Sequence, residues 1–346
     1  MKQKFNILIV LITFVMLTSC DTNDNNDPNT PCDAKFYTMA STHWDSATGT
    51  YNIYEYQKSN VLSTPNSLTA NQNFPLSLSI SFLSLMESTI STNGKVVYHF
   101  TETPVLFTYD INTGSITTGQ IPTGSGIHPE FLGNSLYFLN VINQTSTGGF
   151  LQTGDCVIND EQGNIISQYP NVDFSNSGSF TPDYISNTSD QMDKIFYLAN
   201  TKLIIYDHSN NTWSDFYLEN YDDATNKVIY FGVEYVDANT LYALRGNYTD
   251  TNNTELKLVK IDLSSGTPQV SPLKDLTGQL SVPVLSIING NHFVNSTYDP
   301  CDDSYYFTYA DVGNINSIVF EIKLVSNTIN EYPVNNKMLY GFEIYN

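Results

Sequence analysis

The sequence predicts an all-β, six-bladed β-propeller, and three observations carry that prediction. A strand–turn–strand unit, clearest at Leu106–Thr118, recurs at Leu203–Phe216, Leu258–Val270 and Val319–Tyr332. Turns after the third strand of successive units fall near Lys58, Asn112, Asp160, Asn210, Ser264 and Asn327. The resulting period, roughly 50 residues, is that of propeller blades. Thirdly, period-two runs rich in Tyr, Phe, Ile and Val are cut by Asn, Gly, Asp and Pro clusters, with no sustained helical stripe after residue 33.

Taken in order, residues 1–19 read as a secretory signal. Lys2 and Lys4 precede a thirteen-residue run, Phe5–Leu17, broken only by Asn6 and Thr13, and Leu17-Thr18-Ser19-Cys20 follows. The run is too short to span a bilayer, and the small residues before Cys20 suit cleavage. Residues 20–33 open with Asp21–Pro31, a polar and acidic stretch without an apolar side chain, which reads as a tether. The propeller is expected over 34–346.

The Leu-Thr-Ser-Cys run resembles the bacterial lipobox, which implies lipidation of Cys20 and a membrane partner through the anchor. Acidic residues directly after that cysteine resemble the export signals of Bacteroidota surface lipoproteins. The resemblance implies an outer-membrane protein, displayed at the cell surface in preference to the periplasmic face.

The chain carries 14 basic and 35 acidic residues, and loss of Lys2 and Lys4 with the signal leaves 12 against 35, a net charge of −23. Nucleic acid and anionic glycans are unsuitable partners, since each phosphate or sulfate contact needs basic groups that are missing. Arg245 is the sole arginine, so a multi-arginine oxyanion clamp is excluded.

Strands a to d, from the inside of each blade outward, are expected as follows. Blade 2 takes Leu78–Leu83, Val96–Phe100, Val105–Ile111 and Ser115–Ile121; blade 3 takes Pro129–Leu132, Ser135–Val141, Leu151–Asn159 and Ile165–Pro170. Blade 4 takes Asp183–Ser186, Lys194–Leu198, Lys202–Asp207 and Trp213–Leu218, and blade 5 takes Phe231–Val236, Thr240–Arg245, Leu256–Asp262 and Gln269–Leu273. Blade 6 takes Val284–Ile288, with an extension through His292–Tyr298, then Tyr305–Ala310, Ser317–Leu324 and Ile329–Val334. The N-terminal piece offers three strands, Phe36–Ser41, Tyr51–Gln57 and Val61–Thr64. The C-terminal Leu339–Tyr345 supplies the fourth, closing the ring by completing blade 1 and removing an exposed edge. Five or seven blades would require splitting or merging units.

In such a meander the tether joins on the face of the a–b and c–d turns. The opposite face then looks outward and carries the b–c loops Thr42–Thr50, Ile142–Phe150 and Gly246–Thr254, where binding is expected. His43-Trp44-Asp45, His128, Tyr221, Arg245 and Tyr248 are the candidate ligand-binding residues there, for a glycan or an outer-membrane protein partner. Asp45-Ser46-Ala47 also resembles the short O-glycosylation motif of Bacteroidota.

The innermost strands share a second echo: Pro129-Glu130-Phe131, Pro182-Asp183-Tyr184, Val233-Glu234-Tyr235 and Phe342-Glu343-Ile344. Blades 2 and 6 offer Ser79 and Ser286 instead. Alternation sends acid and aromatic to opposite sides, the aromatic between blades and the acid into the channel. Converging carboxylates either line a wet channel, take up protons or hold a hard cation, Ca²⁺ being the candidate.

Motifs for zinc, an α/β-hydrolase elbow or a phosphate loop are absent. Similarity to the six-bladed calcium lactonases is confined to blade number and channel-mouth acids. It implies, as an alternative, a Ca-dependent hydrolase using Glu130, Asp183, Glu234 and Glu343. The reading preferred from sequence is a non-catalytic binding or scaffold module.

Cys32 and Cys301 occupy matching Pro-Cys-Asp contexts before strand b of neighbouring blades. A disulfide there would constrain a very long loop, provided a loop bends inward to meet the reach of roughly 6 Å that the bond allows. Cys156 is expected as a buried free thiol and Trp213 as blade core.

Overall fold

The computed structural model describes residues 34–41, 50–57, 72–75, 86–100, 105–121, 128–148, 150–178, 185–222, 224–290, 294–311, 316–336 and 338–345. Within them the chain is an all-β β-propeller. It forms six four-stranded antiparallel sheets, accompanied among the described residues by one short helix.

The first sheet is ordered β24-β1-β2-β3, from β24 (Met338–Tyr345), β1 (Lys35–Ser41), β2 (Thr50–Gln57) and β3 (Gln72–Pro75). The second holds β4 (Met86–Ile90), β5 (Lys95–Phe100), β6 (Val105–Asp110) and β7 (Ser115–Gln120). The third holds β8 (His128–Leu132), β9 (Ser135–Thr147), β10 (Phe150–Asp160) and β11 (Ile165–Asp173). In the fourth are β12 (Ser186–Ser189), β13 (Lys194–Ala199), β14 (Lys202–Asp207) and β15 (Thr212–Tyr217). The fifth comprises β16 (Val228–Asp237), β17 (Thr240–Asn247), β18 (Glu255–Asp262) and β19 (Gln269–Asp275). The sixth follows helix α1 (Val284–Asn289) with β20 (Ser296–Asp299), β21 (Ser304–Asp311), β22 (Asn316–Lys323) and β23 (Thr328–Val334).

Why the Tyr-Asp turn recurs is now physical. Asp110, Asp160, Asp207 and Asp262 end the third strands, and each carboxylate accepts backbone amides of the turn that follows. Asp110 Oδ1 takes Asn112 N at 2.9 Å, Asp160 Oδ1 takes Gln162 N at 2.9 Å, Asp207 Oδ1 takes Asn210 N at 3.0 Å and Asp262 Oδ1 takes Ser264 N at 2.9 Å. These are Asx turns, in which a short side chain replaces a backbone acceptor. The hydrogen bonds hold Asp262 down at about 2.

Each sheet buries one face against the next. Phe107, Tyr109 and Tyr98 pack on Tyr37 and Met39, and Phe131 and Phe138 pack on Val97. Ile195 and Tyr206 meet Leu139 and Ile158, while Tyr230 and Leu241 meet Phe196 and Leu203. Phe307 and Phe320 pack on Leu244 and Leu258, and Phe36 and Phe342 pack on Tyr306 and Val319. The innermost strands touch in the order β24, β4, β8, β12, β16, β20, and β20 touches β24 again. Strand β24 pairs antiparallel with β1 from Lys35↔Tyr345 to Ser41↔Met338.

The strands expected second and third in each unit lie where the sequence puts them, to within two residues, except that β9 runs six residues past the expected Val141. Several innermost strands do not. In the second sheet that strand is β4, eight residues after the expected start at Leu78, and Leu78–Leu83 lies outside the described residues. In the fourth it is β12, three residues after Asp183. The apolar run Val284–Ile288 is helical, with Ile287 and Ile288 buried against the fifth and sixth sheets, and the strand is β20. The reason is common to all three: these strands face a polar channel and read Ser-Asn-Thr-Ser or Ser-Thr-Tyr-Asp, so an apolar criterion selects the wrong neighbour. The outer strand paired with β2 is Gln72–Pro75, and Val61–Thr64 lies outside the described residues. Ile142–Thr147 extends the β9–β10 hairpin and is not a loop.

Lys202, 1% exposed, pairs with Asp215, whose Oδ1 also accepts the Tyr169 hydroxyl at 2.5 Å across the third–fourth interface. The ammonium lies 4.1 Å from the Tyr217 ring centroid. Removing one member of a buried ion pair strands the other charge. Asp215→Ala is expected to destabilise the fold by about 3 kcal/mol, measured as a lowered urea midpoint with unchanged m-value. Asp215→Asn, which keeps an acceptor for Tyr169 but not the charge, should lower it less.

Candidate functional site

The six innermost strands surround one cavity of about 270 Å³, lined by residues of β4, β8, β12, β16, β20 and β24. Its chemistry is set by an alternation. Three of its glutamates stand on alternate inner strands, Glu343 on β24, Glu130 on β8 and Glu234 on β16, and a fourth, Glu87, is on β4. The strands between them supply hydroxyl and amide partners.

Ser88 of β4 donates its hydroxyl to Glu343 Oε1 at 2.6 Å, and Ser296 of β20 donates to Glu234 Oε1 at 2.5 Å. Glu130, 4% exposed, is held more completely. Its Oε1 accepts Thr89 Oγ1 at 2.7 Å, Phe131 N at 3.0 Å and Ser189 Oγ at 3.3 Å, and its Oε2 accepts Asn187 Nδ2 at 2.8 Å.

Two of the three glutamates reach the cavity through the same backbone device. Glu234 and Glu343 each follow a Gly-X pair, Gly232-Val233 and Gly341-Phe342, at a register break in the pairing with strand b. Both glycines have left-handed φ, 61° and 66°, as a bulge of this kind requires. A Cβ on Gly341 would lie 2.6 Å from Ser88 Cβ, and one on Gly232 would lie 2.6 Å from the Tyr305 hydroxyl and 3.2 Å from Ser296 Oγ. The glycines therefore turn the chain and also admit the serine that holds each carboxylate. Their carbonyls are tied down too, Gly341 O by Thr38 Oγ1 at 2.7 Å and Gly232 O by the Tyr305 hydroxyl at 2.5 Å. Gly341→Ala and Gly232→Ala are each expected to cost roughly 1–3 kcal/mol, read from thermal unfolding, with the larger loss at Gly341, where the new methyl meets Ser88 directly.

Burial disfavours the charged form of all three acids. It pushes Glu130 up to about 7 against the opposing pull of its four hydrogen bonds. It pushes Glu234 up to about 8, with a further rise from the charge of Glu130. Glu343 lies well above the usual carboxylate range, chiefly through burial and then through the charges of Glu234 and Glu130. An acid whose folded pKa exceeds its unfolded value holds its proton longer when folded, so stability falls as pH rises from the unfolded value through the folded one. The melting temperature is accordingly expected to fall between about pH 4.5 and 8, and Glu234→Gln should flatten that slope. A variant with the wild-type slope would contradict the assignment.

The remaining sequence candidates divide clearly. His128 is 1% exposed and its Nδ1 lies 2.6 Å from Glu87 Oε1, an inter-sheet pair of which Glu87 lines the cavity. Arg245 has its guanidinium fork occupied by Glu219, Nε to Oε2 at 2.6 Å and Nη2 to Oε1 at 2.8 Å, and Tyr230 donates to the same carboxylate at 2.6 Å. Tyr248 packs against the core of the fifth and sixth sheets. Gly178 lies so close to the Tyr221 ring that a Cβ there would be 2.7 Å away. None of Arg245, Tyr221 and Tyr248 lines the cavity. His43, Trp44, Asp45, Asp183, Cys20 and Cys32 lie outside the described residues. Cys301 is disulfide-bonded, and Cys156 is a buried free thiol pushed up to about 12 by burial. Trp213 packs on the core between Tyr169 and Tyr206.

Among the described residues no group of three His, Cys, Asp or Glu side chains is placed to hold a metal ion. Glu87, Ser88, Asn187, Ser189 and Ser296 went unrecognised in the sequence. The serines expected in the second and sixth units are present in kind, but they are Ser88 and Ser296; Ser79 lies outside the described residues and Ser286 is on α1. The usable signal was the turn that precedes strand b. Counting back from Ser91-Thr92-Asn93-Gly94, from Asp190 and from Pro300 places all three inner strands.

No protein-family model matches the chain, and no curated protein matches it. Similar solved structures include a protein from Lactobacillus plantarum at 10% identity, covering 91% of this chain and 99% of that one with a TM-score of 0.46. The calcium-binding protein regucalcin from Agrobacterium tumefaciens is 12% identical over 72% of this chain and 74% of its own, with a TM-score of 0.41. A protein of unknown function from Bacteroides caccae is 8% identical over 90% and 98%, with a TM-score of 0.42.

Proposed function

We propose that the chain is a lipid-anchored binding protein of the bacterial outer membrane, displayed at the cell surface in the manner of Bacteroidota lipoproteins, and that its β-propeller binds a small ligand in the central cavity without transforming it. The propeller is taken to have six blades, the first completed by β24; the six sheets, the apolar contacts at each interface and the β24–β1 register support that count. Cys20 carries the anchor, and the acidic tether sets the domain off the lipid.

The observation that carries the binding reading is the cavity itself, to which all six innermost strands contribute polar side chains. Concave sites with a few convergent polar groups are where small ligands bind. Access is assigned to the outward face, where the inner strands begin; Asn295, one residue before β20, is among the lining residues. The outward loops remain a second contact surface for a glycan or a protein partner, with His43, Trp44 and Asp45 contributing. The arginine expected there is committed to Glu219, which moves the weight of the proposal to the channel.

Native mass spectrometry of the full chain isolated from its own cells tests this. A small molecule is expected to co-purify with the wild type and to be lost from Asn295→Trp, whose indole would intrude on the cavity. Retention of the same molecule by that variant, or release of a chemically altered product, would overturn the reading.

A further inference from the structure

The cavity has a chemical bias that the general reading does not use. We infer that its ligand is a small organic polycation of the diamine or triamine class, bridging Glu234 and Glu343; this rests on the cavity being the binding site.

Three observations lead there. First, the two glutamates are half-satisfied in the same way. One oxygen of each is fixed by a serine of the next inner strand, Ser296 to Glu234 and Ser88 to Glu343, and among the described residues the second oxygen of each receives no hydrogen bond. Glu130, by contrast, has four donors and is complete. Acceptor capacity is thus left over on two carboxylates, on β16 and β24, with only β20 between them.

Secondly, among the described residues lining the cavity there is no Lys, Arg or His to neutralise them, and a further carboxylate there, Glu87, is paired with His128 behind the wall. An enclosed carboxylate without a counter-charge is unfavourable, so the site gains most from a ligand that brings positive charge. An anion would be repelled, and a neutral polyol would supply donors but no charge.

Thirdly, the acids are spread around the wall and no three of the described metal-ligating side chains converge on one point. Glu234 and Glu343 stand on β16 and β24 with β20 between them, a spacing that a chain with an ammonium at each end is built to bridge. Each ammonium offers three donors, which suits one open carboxylate oxygen together with neighbouring hydroxyls such as Thr188 and Thr297.

Isothermal titration of the purified full chain with putrescine and with spermidine, beside xylitol and citrate as neutral and anionic contrasts, tests the inference. The amines are expected to bind and xylitol and citrate not to. Glu234→Gln and Glu343→Gln should each weaken the amines roughly tenfold, as expected for loss of one charge-assisted hydrogen bond. The glutamine Oε1 can still accept the serine hydroxyl, so both variants retain the inter-strand bond, and circular dichroism confirms the fold. Should either variant fail to fold, Glu234→Asp keeps the charge and is expected to weaken the amines less than tenfold. Equal amine affinity in wild type and glutamine variants overturns the inference. Binding of xylitol or citrate that Asn295→Trp abolishes overturns it while leaving the cavity as the site. No binding by any of the four probes overturns it as well; if, in addition, nothing co-purifies with the chain, the cavity reading falls too.

Discussion

Face-to-face packing of neighbouring sheets is the constraint on which the rest of this structure depends. A four-stranded sheet with an apolar face is not stable alone, and here each sheet borrows its cover from the next, through aromatic contacts such as Phe36 on Tyr306 at 5.0 Å and Tyr242 on Tyr298 at 5.3 Å. Sheets packed in this way bring their innermost strands together. The buried polar side chains there are satisfied by neighbours from other sheets, as buried polar groups generally are.

That requirement explains the pairing of carboxylates with hydroxyls. Glu343 with Ser88, Glu130 with Asn187 and Ser189, and Glu234 with Ser296 each join two adjacent inner strands. Two glycine bulges aim the acids, and the same glycines make room for the serines. Structural and site chemistry are therefore one system: the bonds that align the inner strands also leave two carboxylate oxygens open to the cavity. Burial keeps these acids protonated further up the pH scale than free carboxylates, which reduces their mutual repulsion when the cavity holds no counter-charge.

Away from the axis, charged groups are used differently. Lys202 with Asp215 and Arg245 with Glu219 sit between or within sheets and are closed by tyrosine hydroxyls. Glu321, fully buried, accepts from Tyr306, Asn330 and Tyr332. In a chain with so few basic residues, tyrosine hydroxyls take over much of the work of satisfying buried carboxylates.

The repeat was legible in the sequence because its cause is local. An aspartate ending a strand and capping its own turn leaves a mark within five residues, and strands rich in Tyr, Phe, Ile and Val stand out between polar turns. The second and third strands of each unit could be read on that basis, as could Glu130, Glu234 and Glu343 within the inner strands. Tertiary structure decided what has no local mark. The inner strands β4, β12 and β20 are polar because other strands complete them, so no apolar pattern announces them, and Val284–Ile288 took the helical form because α1 covers a core shared by two sheets. Ser88 and Ser296 are distant in sequence from the glutamates they hold, and their roles exist only once the sheets are packed side by side. The sequence by itself determined which residues could be acids in a channel; the packing of sheets decided which of them are fully bonded and which keep an oxygen open.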